Sequence, residues 1–69
     1  MNQVNRLREI REQREMSQVE LAAAAGVTQA AISAIERGEV KSPSIDLARA
    51  IAAALDIPID YLFPVNPAA

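Results

Sequence analysis

Gln29, Ala30, Ser33, Ala34 and Arg37 recur at three- and four-residue spacings, which places them on one side of a helix. Together they offer an amide, a hydroxyl, a guanidinium and two methyl groups. Such a set makes hydrogen bonds and apolar contacts, and it contains no nucleophile with a base beside it. The chain has no histidine and no cysteine. This excludes a zinc site built from those residues and a Ser-His or Cys-His catalytic pair, and also a disulfide. The carboxylates are not clustered, apart from those mixed with arginines near the N-terminus. An enzyme is therefore not expected, and neither a metal nor a cofactor is.

The elements that must hold this face lie in QVELAAAAGVTQAAISAIER, residues 18–37. Ser17-Gln18-Val19-Glu20 is a capping box, in which the Ser17 hydroxyl and the Glu20 carboxylate satisfy each other's backbone N–H. Met16 and Leu21 occupy the two positions of a hydrophobic staple. Thr28 caps the next helix, with Val27 and Ile32 as its staple pair. Gly26 stands between, where a positive φ is expected. Leu21, Ala25, Val27, Ile32 and Ile35 form the inward set, and Ala22 is small where two helices cross closely. Two helices, a tight glycine turn and an outward face on the second helix describe a helix-turn-helix.

The remaining segments also read as helices. Residues 3–15 form the first, with Val4, Leu7, Ile10 and Arg14 on a helical stripe. Arg8–Glu12 and Arg11–Glu15 are spaced as i,i+4 pairs, and the charge run reads as a solvated face with Arg11 as the exception. Gly38 ends the third helix, and residues 39–43 form a loop. Ser44 caps a fourth, with Asp46 in its first turn. Ile45, Leu47, Ala48, Ile51, Ala52 and Leu55 are its buried stripe. Pro58 opens a short fifth helix, 59–63, at a position where its missing N–H costs nothing. Pro64 and Pro67 stop it, and the tail 66–69 is expected to be disordered. No strand pattern competes, so the fold class is all-α: a compact five-helix bundle with a single domain over 1–65.

Composition sets further bounds. With 69 residues, 14 of them alanine, and Tyr61 and Phe63 as its aromatics, the core should be thin and aliphatic. The N-terminal residues are too polar for a signal peptide, and no apolar run nears the about 20 residues that cross a bilayer. A cytoplasmic protein without a membrane partner is expected. The formal net charge is −2, whereas nucleic-acid binders are usually basic. Few phosphates would then be neutralised, and any binding to DNA should depend only shallowly on salt.

MSQVELAAAAGVTQAAISAIERGE followed by SPSIDLARAIAAALDIPIDYLF resembles the Cro/C1-type helix-turn-helix family, phage-repressor-like and also called Xre. The likeness runs from Leu7 to Phe63. It includes the SQ-x-x-LA opening, the AG-V turn, TQ-x-x-IS-x-IE-x-G and the final D-Y-L-F, all in register. It implies a lambda-repressor-like domain whose third helix lies in the major groove of double-stranded DNA, in a bacterial or phage setting. By position, Gln29, Ala30, Ser33, Ala34 and Arg37 would face bases. Gln18, Thr28, Lys41 and Ser42 would hold phosphates, and Arg11 and Glu36 would form a structural ion pair. A glutamine donates and accepts together, which suits adenine, whereas the two alanines offer only apolar contact. Specificity would then rest on Gln29, Ser33, Arg37 and DNA shape.

The expected function is a sequence-specific transcriptional regulator, a repressor or autoregulatory controller, that binds palindromic operators as a homodimer. Tyr61, Phe63 and Val65 belong to the densest large-apolar cluster in the chain, and they are the expected dimer contact. The alternative is an antitoxin or accessory module on the same scaffold, with another protein as its main partner. The acidic balance and the alanine-rich outer face favour that alternative.

Overall fold

A computed structural model describes residues 6–40 and 43–63. It contains α1 (Leu7–Gln13), α2 (Gln18–Ala25), α3 (Gln29–Glu36), α4 (Ile45–Leu55) and α5 (Ile59–Leu62). Among the described residues there is no strand. Val4, Lys41, Ser42, Val65 and the tail 66–69 lie outside them.

Local chemistry sets the helix starts. The Ser17 hydroxyl accepts from the Glu20 N–H at 3.0 Å, and the Glu20 carboxylate accepts from the Ser17 N–H at 2.8 Å, so both halves of the capping box form. Thr28 accepts from the Ala31 N–H at 3.0 Å, and Ser44 from the Leu47 N–H at 3.1 Å. Pro58 is the N-cap of α5, which starts at Ile59 as expected and stops at Leu62, with Phe63 as the C-cap.

The helix ends share one geometry. After α2, Gly26 is left-handed (φ 72°) and the Val27 N–H donates to the Ala22 carbonyl at 2.9 Å. After α3, Gly38 (φ 80°) does the same, with the Glu39 N–H on the Ala34 carbonyl at 2.9 Å. These are Schellman ends, which satisfy carbonyls that the helix leaves open. Glu15 and Asp56, both at φ 59°, play the glycine role after α1 and α4, closed by Met16 N–H to Arg11 carbonyl at 3.2 Å and Ile57 N–H to Ala52 carbonyl at 3.1 Å.

α2 packs on α3 and α4, α4 on α5, and α1 on α3. Leu7, Leu21, Ile32, Ile35, Ile51, Leu55 and Leu62 are fully buried, each contributing about 1.5–3 kcal/mol of transfer free energy. Ala22, Ala48 and Ala52 are buried beside them and let the helices approach closely. Met16, Ala25, Val27 and Phe63 pack against this core. The Arg6 N–H donates to the Leu62 carbonyl at 3.1 Å and its guanidinium lies 5.1 Å from the Tyr61 ring centroid, which ties the entry to α1 to α5.

Two positions depart from the sequence expectation. Arg14 does not share the buried stripe of α1; Arg11 does. The helix ends at Gln13 because the chain turns at Glu15, and Arg14, at the C-cap, donates from Nε to the Leu55 carbonyl at 3.0 Å. Ile45 has the spacing of a core residue but is 56% exposed. It is the first residue of α4, ahead of the part of the stripe that the neighbouring elements cover.

Candidate functional site

α2 and α3 cross with Gly26 at the turn, and a polar chain runs along their junction. Arg11, reaching across from α1, donates from Nε to Glu36 Oε2 at 2.6 Å and from Nη2 to Oε1 at 3.1 Å. Its Nη1 donates to the Met16 carbonyl at 2.7 Å. The Gln18 amide Nε2 donates to Glu36 Oε1 at 3.0 Å, and the Gln18 Oε1 accepts from Gln29 Nε2 at 3.3 Å. One line of hydrogen bonds thus joins a buried ion pair to two glutamines, the second of them exposed on α3.

The ion pair is nearly dry, with side-chain exposures of 10% for Arg11 and 4% for Glu36. Burial pushes the Glu36 carboxyl up. The hydrogen bonds from Arg11 and Gln18 and the nearby positive charge together outweigh that, so the net shift is below the ordinary carboxylate value. Among the described residues no buried side-chain nitrogen or oxygen lacks a partner.

On the outer side of α3, Gln29, Ala30 and Arg37 are exposed, while Ser33 and Ala34 are half-buried. The Arg37 guanidinium is engaged twice. Nε and Nη2 donate to the two Glu39 oxygens at 2.9 Å each, and Nη1 donates to the Ser33 hydroxyl. Glu39 was not among the residues singled out in the sequence. A residue two positions past the C-cap has no periodic relation to the helix face, so only the Gly38 turn shows that it folds back.

The Thr28 hydroxyl oxygen is taken by the Ala31 N–H, which leaves its own proton to donate outward. At the start of α2, the N–H groups of Gln18 and Val19 have no intrahelical acceptor. Gln18 is thus both a link in the inward chain and a carrier of open donors. Lys41 and Ser42 lie outside the described residues. In α5 Tyr61 is 53% exposed, and Phe63 at its C-cap is half-buried.

Among the described residues no group of His, Cys, Asp or Glu could hold a metal ion, and none of their helices is long and apolar enough to cross a membrane.

A helix-turn-helix family model matches residues 7–62. No curated protein matches the sequence. Among solved structures, the chain is similar to SinR, the master regulator for biofilm formation, in complex with DNA: 35% identity, TM-score 0.75, covering 78% of this chain and 86% of that one. It is similar also to the P22 c2 repressor in complex with a synthetic operator, at 33% identity and TM-score 0.79, covering 88% of this chain and 91% of the repressor's. The N-terminal DNA-binding domain of SinR from Bacillus subtilis, in solution, gives 33% identity, TM-score 0.78 and 88% coverage of each chain.

Proposed function

The chain belongs to the Cro/C1-type helix-turn-helix family and is a DNA-binding transcriptional regulator; we propose that it reads operator DNA with α3 in the major groove, as a homodimer on a palindromic site. The observation that carries this reading is the outer face of α3, where Gln29 stands at the helix start with its amide oriented by Gln18. A held amide presents its donor and acceptor together, which matches the N6 and N7 of adenine. Ala30 and Ala34 add apolar contact, suited to a thymine methyl. Gln18, Thr28, Lys41 and Ser42 are assigned to phosphates, which fix position without reading sequence. Tyr61, Phe63 and Val65 are assigned to the two-fold contact, so that two α3 helices meet half-sites about 34 Å apart. The reading gives the chain no catalytic role and places it with DNA in the cytoplasm.

Gln29→Ala tests it by fluorescence anisotropy on a duplex selected by the wild type from a randomised library. Affinity should fall by about 1–3 kcal/mol and preference should relax at one base pair per half-site. Unchanged affinity and preference would remove Gln29 from the reading. A second reading, in which the main partner is another protein, draws on the net charge of −2 and on Arg37 being already neutralised by Glu39. Co-purification with a protein in preference to DNA would decide for it.

A further inference from the structure

The pairing of Arg37 with Glu39 bears on how the α3 face meets DNA, and the inference rests on the reading of that face given above. Gly38 turns the chain, and the N–H groups of Gly38 and Glu39 are fixed to the Ile35 and Ala34 carbonyls at 3.0 and 2.9 Å. The turn holds the Glu39 carboxylate over the last turn of α3. There it takes Nε and Nη2 of Arg37 together, the fork that a phosphate or a guanine edge would take. The third nitrogen rests on Ser33. Two of the three polar side chains assigned to base reading are thus closed into one unit by a carboxylate. The pair is exposed on both sides, 56% and 59%, so it is readily exchanged. A negative charge near a helix C-terminus is also unfavourable, so stability of the helix does not account for Glu39.

We propose that Glu39 is an internal competitor for Arg37: it occupies the guanidinium in place of phosphate and lowers affinity most for DNA without a cognate site, where no base contact offsets its displacement, so that Glu39 is a determinant of the specificity ratio. With Arg37 held on Ser33 and Glu39, indiscriminate duplex gains no phosphate contact from it. With the carboxylate gone, Arg37 is free to make one.

The test is E39Q, alone and in an R37Q background, titrated by anisotropy on the selected duplex and on a shuffled duplex of the same composition. Glutamine keeps the size and removes the charge, and unchanged thermal melting shows that the fold is retained. The expected result for E39Q is tighter binding to the shuffled duplex and a smaller ratio between the two duplexes. Its loss of affinity between about 50 and 200 mM salt should be about threefold greater per subunit than the wild type's, as one added phosphate contact requires. In the R37Q background E39Q should produce no such steepening. Equal salt dependence of E39Q and wild type, or a steepening that persists without Arg37, would overturn the proposal. If the wild type selects no sequence, the reading of α3 fails and this inference falls with it. If the wild type selects a site and Q29A loses it while E39Q changes nothing, only the inference fails.

Discussion

Arg11 and Glu36 show how much one pair can fix. The guanidinium bonds the carboxylate twice and closes the end of α1 through Met16, and the carboxylate in turn holds Gln18. Both charges are removed from water, so removing one partner leaves the other uncompensated. E36Q should lower unfolding free energy by about 3 kcal/mol at neutral pH, read from urea unfolding, whereas replacing both residues by apolar ones should cost clearly less. The Glu36 carboxyl lies below its ordinary value of 4.5 in the folded state. Its contribution is therefore full above the unfolded value and is lost as pH falls through the lower folded value. Wild-type stability should drop below about pH 4.5, and E36Q should show a smaller drop. A parallel decline of the two proteins would show that Glu36 is not the group responsible.

At the scale of elements, the helices are limited by their ends more than by their interiors. Four of them close through a left-handed residue, and two of those residues are acidic side chains rather than glycine. A left-handed L-residue costs roughly 1–2 kcal/mol, partly offset by the chain entropy that glycine loses on folding. Glu15→Gly should therefore raise stability by about 0.5 kcal/mol. Gly26→Ala should lower it by about 1 kcal/mol through strain alone, since an added Cβ would meet nothing within 4 Å. Urea midpoints measure both, and a destabilised Glu15→Gly would mean that the Glu15 side chain serves a role beyond its backbone.

For the whole molecule, charge placement governs the encounter with DNA. Arg11 is spent on Glu36 and Arg37 on Glu39, in a chain of net charge −2. With Lys41 the one cation among the residues assigned to phosphate, a dimer neutralises about two phosphates and should give a slope of log K against log salt of about −2. A slope of about −8 or steeper would show a basic surface beyond the residues assigned to phosphate.

Much of this architecture was legible in the sequence because it is local. The Ser17–Glu20 box, the Thr28 and Ser44 caps and the turns at Gly26 and Gly38 depend on residues a few positions apart, and the apolar stripes follow one helical period. The pairing of Arg11 with Glu36 was expected from family likeness, since 25 residues separate them and no period links them. Only the tertiary structure decided where chain geometry meets burial. It put Arg11 rather than Arg14 in the core, left Ile45 in solvent, used Glu15 and Asp56 where glycine would serve, ran Glu36 through Gln18 to Gln29, and folded Glu39 onto Arg37. Each of these depends on which surface a neighbouring element covers or on where a turn directs the chain. A side chain's period states which way it points, and its packing partners determine what it meets.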